Sequence, residues 1–137
     1  MNVKSGRVQG SDLFDFSHWP VVVAQMPAYN RFRMDEWTGG LDAILARETP
    51  FVLVVDLQNH LEEERETQEE KKKGAAWMKR KRDAYSRLCR GNVYVVADPE
   101  RRSRVLTETR QQGRAFGIPF EAEADLAGAI DRARTLL

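Results

Sequence analysis

The sequence lacks most of the features that would narrow its chemistry at once. Only one of its 137 residues is a cysteine, Cys89, so no internal disulfide can form. There is no CxxC pair and no Cys/His cluster at ligand spacing, so no metal site or other cofactor site is expected. A lone thiol suits a reducing cytoplasm. No apolar run approaches the roughly 20 residues that a bilayer-crossing helix needs. Met1 to Gly10 holds two basic residues with no apolar stretch behind them, so neither secretion nor membrane insertion is expected. Charge of one sign is missing too. With 22 basic and 21 acidic side chains the net charge is +1, and no overall field gathers nucleic acid. Gly91, Gly113 and Gly117 are scattered and do not form a phosphate-cradling loop after a strand. No internal repeat or low-complexity linker divides the chain. A chain of this length makes one domain that buries a core unaided. Residues 1–11, polar and glycine-containing, are expected to form a loose arm, and 12–137 the domain.

What is present begins with Pro50-Phe51-Val52-Leu53-Val54-Val55-Asp56. Five apolar residues in a row, four of them β-branched or aromatic, read as a central strand covered on both faces. The run stops at a carboxylate. Val93-Tyr94-Val95-Val96-Ala97 repeats the pattern and stops at Asp98. Val21 to Met26 is another strand, and Phe14, Phe16 and Trp19, alternating with polar residues, form a short edge strand ahead of it as a hairpin-like start. Ile118 to Ala122 is expected as a second edge strand.

Helices alternate with these strands. Met34, Trp37, Leu41, Ile44 and Leu45 share one face of a helix over roughly Met34 to Arg47, weakened by Gly39 and Gly40. Thr67 and Glu70 form a capping box that starts a long helix from Gln68 to about Arg90. Its buried stripe is expected to be Ala75, Met78, Tyr85, Leu88 and Cys89, with Trp77 at the border and Gly91 as the left-handed stop. Pro99 opens a third helix to about Gln112, weakly anchored through Val105 and Leu106. Asp125 caps a fourth, with Leu126, Ile130, Ala133 and Leu137 on its face. Strand and helix in alternation predict a single α/β domain with a mostly parallel, four- to five-stranded sheet and helices packed on it.

The run Phe14 to Val23, the strand end Val54-Val55-Asp56-Leu57, the block Ala75-Ala76-Trp77-Met78, and Leu88-Cys89-Arg90-Gly91 before a valine-rich strand resemble small bacterial proteins of the STAS-like superfamily. That superfamily is named for sulfate transporters and anti-sigma-factor antagonists. The resemblance covers about Phe14 to Leu137 and implies a sheet backed by helices that acts by protein contact or small-ligand binding. There is one departure. Anti-sigma-factor antagonists carry a phosphorylatable serine in a turn after the central strand, where this chain has Asp56-Leu57-Gln58-Asn59-His60-Leu61. No phospho-switch of that kind is expected.

In a parallel sheet the polar turns after the central strands lie on the carboxyl edge, where open α/β folds bind their ligands. The expected partner or ligand contacts are therefore Asp56, Gln58, Asn59 and His60 on one turn and Asp98 and Arg101 on the next. The leading expectation is a non-enzymatic cytoplasmic regulatory or protein-interaction module. The alternative is a carrier of a small apolar or anionic ligand, held between sheet and helices and lined by Trp19, Trp37 or Trp77. A third reading pairs Asp56 with His60 as an oriented base, without a nucleophile close in sequence. Nine cations from Lys71 to Arg90 read first as a solvated helix face, ahead of an acidic protein or nucleic acid. Edge strands near Phe14 or Phe120 offer a surface for a homodimer.

Overall fold

The computed structural model describes residues 13–25, 31–58 and 66–137. The expected arm at 1–11, together with Asn59 and His60, lies outside them. The chain folds as β1 (Phe14–His18), β2 (Val21–Gln25), α1 (Arg33–Leu45), β3 (Phe51–Asp56), α2 (Gln68–Leu88), β4 (Cys89–Val95), α3 (Pro99–Phe116), β5 (Phe120–Glu123) and α4 (Leu126–Leu136). The five strands lie in one sheet in sequence order. β1 runs antiparallel to β2, and every other neighbouring pair is parallel, which makes β3 the middle strand and β1 and β5 the edges.

This order decides where the helices go. Each parallel step from β2 to β5 moves one strand across in the same direction, and crossovers of one hand then put their helices on one face. α1, α2 and α3 cover that face. α4 leaves the last strand with no crossover to make and covers the other.

Alternation along the strands feeds the two cores. Val22, Ala24, Phe51, Leu53 and Val55 pack against Leu41, Ile44 and Leu45 of α1 and Trp77, Tyr85 and Leu88 of α2. Val21, Val23, Val52, Val54, Val93 and Val95 face Ala129, Ile130 and Ala133 of α4. A strand with both faces buried needs a continuous apolar run, as β3 has.

The weak point of α1 has a packing reason. A side chain at Gly40 would collide with the Phe14 ring, so the glycine lets β1 close onto the helix. The α2 cap is as expected: Thr67 Oγ1 accepts from Glu70 N–H at 3.1 Å, and Glu70 Oε1 accepts from Thr67 N–H at 3.0 Å.

Other expectations are corrected. α2 stops at Leu88, and Cys89 and Gly91 belong to β4. Gly91 does not cap the helix. It sits at a register shift between β3 and β4, where a Cβ would lie 2.8 Å from Leu136 Cδ1 and 3.1 Å from the Pro119 carbonyl. Trp77 is at the centre of the buried stripe rather than its border, and Ala75 is exposed. On α4, Ala129 is buried and Leu137 is exposed. α3 reaches Phe116, and its only buried residue is Gly113, in keeping with weak anchoring.

Candidate functional site

β2, β3 and β4 end on the same rim. Gln25 pairs with Asp56, and Asp56 with Val95, so Asp98 emerges three residues beyond that line. Of the expected residues, Asp56, Gln58, Asp98 and Arg101 are described, and the rim brings these four near one another but ties each to a structural partner. Asp56 is buried, and its carboxylate accepts from Gln58 N–H at 3.0 Å and Gln25 Nε2 at 3.4 Å. Asp98 caps α3 by accepting from Arg101 N–H at 2.8 Å. Arg101 reaches across to donate to the Leu57 carbonyl at 3.3 Å, which joins the two turns. Gln58 is exposed. No group of three metal-ligating side chains occurs among the described residues.

A second feature lies below this rim, on the α1–α2–α3 side. A cavity of about 500 Å³ separates the sheet from the helices. Its floor is Leu53, Val55 and Leu57 with Asn92, Tyr94 and Phe120. Met34, Trp37, Thr38 and Leu41 of α1 and Gly74, Ala75, Trp77, Met78 and Tyr85 of α2 line it, and α3 adds Glu108, Thr109 and Gln112. Asp56 follows the Val52 and Val54 row toward α4, so it does not line the cavity; Leu57 does. Exposed Glu66, Lys71 and Glu108 mark the mouth.

The sequence explains why the helices do not fill this space. α3 turns polar or short side chains inward and buries only Gly113. α2 contributes Gly74, where an added Cβ would meet nothing within 4 Å. A mid-helix glycine costs about 1 kcal/mol relative to alanine, and here no close contact requires one. The cavity opens at its mouth, so it can take up water or a guest.

A short polar row crosses the floor. Asn92 interrupts the apolar pattern of β4 and is buried. Its Oδ1 accepts from the Tyr85 hydroxyl at 2.8 Å and the Cys89 thiol at 3.3 Å. Burial pushes Tyr94 up to about 12 and Cys89 up to about 11, and drives Tyr85 well above its ordinary value. All three stay neutral at physiological pH, and Cys89 is no nucleophile.

The tryptophans divide. Trp37 and Trp77 line the cavity, and Trp77 is fixed by donating from Nε1 to Asp42 at 2.8 Å. Trp19 does not reach it. Its ring lies under the Arg47 guanidinium, 4.3 Å away, next to Phe16. His18 is exposed at the end of β1. On α2, Lys73 pairs with Asp35 and Glu69, Lys81 with Asp42 and Arg87 with Glu48. No helix among the described residues is long and apolar enough to cross a membrane.

Gly74, Asn92 and Tyr94 were not expected at the site. The signals lay in the sequence as a glycine inside a well-capped helix and an amide inside an apolar strand. No protein-family model, curated protein or solved structure matches the chain. Nothing in these comparisons identifies a STAS-like family.

Proposed function

We propose that this chain is a non-enzymatic small-ligand-binding domain that holds one mainly apolar molecule between its sheet and α1, α2 and α3. The supporting observation is the cavity of about 500 Å³ with Gly74 on its wall, in the size range of small-molecule sites. The lining favours an apolar guest over an anionic one. Lys71 is its only cation among the described residues, and it stands at the mouth with Glu66 and Glu108. Native mass spectrometry of freshly purified protein should show a retained small mass, or a metabolite panel should raise the melting temperature. Gly74→Leu places a side chain in the open space and should abolish either signal while the variant stays folded by circular dichroism. Failure of both signals in the wild type rules the reading out.

The second reading is a STAS-like regulatory module that contacts a protein partner through the carboxyl rim. It is favoured by the Arg101 link between the two turns, which holds Gln58 and Asp98 exposed on one surface. Gln58→Lys combined with Gln25→Lys should weaken capture of a partner in a pull-down without lowering the melting temperature. Unchanged capture removes the rim from consideration.

A further inference from the structure

We infer that the free edge of β5 takes up an extended acidic peptide of a partner protein, which adds a strand to the sheet and sets two carboxylates, at alternate positions, against Arg110 and Arg114. This surface is separate from the cavity, and the inference depends on neither reading above.

β5 is the last strand of the sheet, and no described strand lies beyond it. Its ladder with β4 is parallel and pairs Val93 with Glu121 and Val95 with Glu123. The Pro119 carbonyl accepts from Asn92 N–H and the Glu123 carbonyl from Val96 N–H, both at 3.0 Å. In such a ladder alternate residues turn N–H and C=O toward the same neighbour. Positions 119, 121 and 123 therefore face β4, and Phe120 and Ala122 turn their backbone groups outward. Their side chains share the face of Asn92 and Tyr94, the face that α3 covers. An edge with open donors and acceptors is a template for another strand.

α3 places charge over this edge. A Cβ at Gly113 would lie 2.9 Å from both the Ile118 carbonyl and the Phe120 ring, so the helix comes down close on the start of β5. At 3.6 residues per turn, Thr109 and Gln112 turn to one side of Gly113 and line the cavity, while Arg110 and Arg114 turn to the other, roughly 60° and 100° round the axis. There they line an open groove of about 600 Å³ with Ile118, Pro119 and Glu121. Both arginines are exposed, and neither has a carboxylate partner among the described residues, unlike Lys73, Lys81 and Arg87 of α2. Like charges four residues apart on a helix repel. Nothing among the described residues offsets that repulsion, and an acidic partner would.

The spacing fits a strand. Side chains at i and i+4 of a helix stand about 5–6 Å apart at Cβ, and alternate residues of a strand about 7 Å. Two acids separated by one residue can therefore meet both guanidiniums on the α3 side. The residue between them projects from the opposite face, the face of Glu121, where a lysine fits and an acid does not. A second copy of this chain suits the edge less well. Antiparallel pairing of two β5 edges through Phe120 and Ala122 sets Glu121 directly opposite its copy, and like charges placed so are destabilising.

The test peptide is Thr-Val-Glu-Lys-Glu-Val-Thr with blocked ends, titrated into isotope-labelled protein and followed by NMR. One control replaces both glutamates by glutamine. Another methylates the three central backbone nitrogens, which keeps the charge and removes strand pairing. The test peptide should shift the amide signals of Phe120 and Ala122 in the wild type and slow their hydrogen exchange. The glutamine peptide, or the double variant Arg110→Gln with Arg114→Gln, should weaken binding about five-fold, and the two changes together no more than either alone. The methylated peptide should not bind. Equal affinity of the glutamine peptide, an unchanged affinity in the double variant, binding of the methylated peptide, or no binding of the test peptide overturns the inference. So do Phe120 and Ala122 amides already protected before any peptide is added: in a dimer the edge then belongs to a second copy, and in a monomer to another segment of the chain.

Discussion

Arg33 and Glu70 form a buried ion pair that ties the first turn of α1 to the first turn of α2. The contact is bidentate, with Nε to Oε2 at 2.7 Å and Nη2 to Oε1 at 3.0 Å. Arg33 is 1% exposed and Glu70 6%. Glu70 also completes the capping box with Thr67, so one carboxylate joins two helices and closes the end of one of them. Both helices wall the cavity, and this pair fixes their spacing near the carboxyl rim.

Glu70→Gln should therefore cost about 3–5 kcal/mol, because it removes the charge from the buried bidentate contact with Arg33. The loss should depend on pH. Glu70 is held below its ordinary value of 4.5, first by the hydrogen bond from Arg33. A depressed carboxylate contributes stability that is complete above the unfolded value and is lost as pH falls through the native one. The gap between wild type and Glu70→Gln in urea denaturation should be largest near neutrality and narrow below pH 4.5. A gap that stays constant down to pH 3 would show that the charge of Glu70 is not what stabilises the fold.

Gly74→Ala should stabilise the protein. The new methyl enters open space, and the helix gains about 1 kcal/mol of propensity, worth roughly 3–5 °C in melting temperature for a chain of this size. A drop in melting temperature would mean that the space beside Gly74 is filled in solution.

Asn92→Ala should cost about 1–3 kcal/mol, since it strips the buried Tyr85 hydroxyl of its acceptor, while the Cys89 thiol keeps the Gly91 carbonyl at 3.3 Å. Adding Tyr85→Phe should then cost much less than Tyr85→Phe does alone. Denaturation of the two single variants and the double gives the coupling directly. Strict additivity would show that the two side chains act independently.

Cys89 should resist thiol reagents in the native state and react on unfolding, because the buried thiol ionises only near 11. The sign of the linkage follows from that raised value. The unfolded thiol begins to ionise near 9.0, so the stability it contributes is complete below pH 9 and fades toward pH 11. Cys89→Ala should flatten this alkaline loss in thermal melts. Rapid labelling of folded protein at pH 7 would contradict the burial.

Much of the fold was legible because local rules and the global fold agree. The β3 run, the Thr67–Glu70 box and the Asp98 and Asp125 caps each name their element from a handful of adjacent residues. The shared rim of β2, β3 and β4 followed from strand and helix in alternation. The boundary between α2 and β4 did not. Nothing local separates a glycine that stops a helix from one that gives way to Leu136 and Pro119 inside a strand. The sequence puts Trp77 at the border of its stripe for a similar reason, since periodicity gives a face but not its deepest point. Of the expected site, Asp56 and Asp98 were placed on the correct edge, but their roles as a turn acceptor and a helix cap show only when their partners are seen.

By itself the sequence determined the elements and their order, because patterning at periods of two and 3.6 residues and the capping pairs act over a few neighbours. The tertiary structure alone decided that three helices share one face and leave a gap over Leu53, Val55 and Tyr94. That gap is a sum of small side chains contributed by distant segments, Gly74 from one helix and Thr109 from another, and no local pattern records a volume that only packing creates.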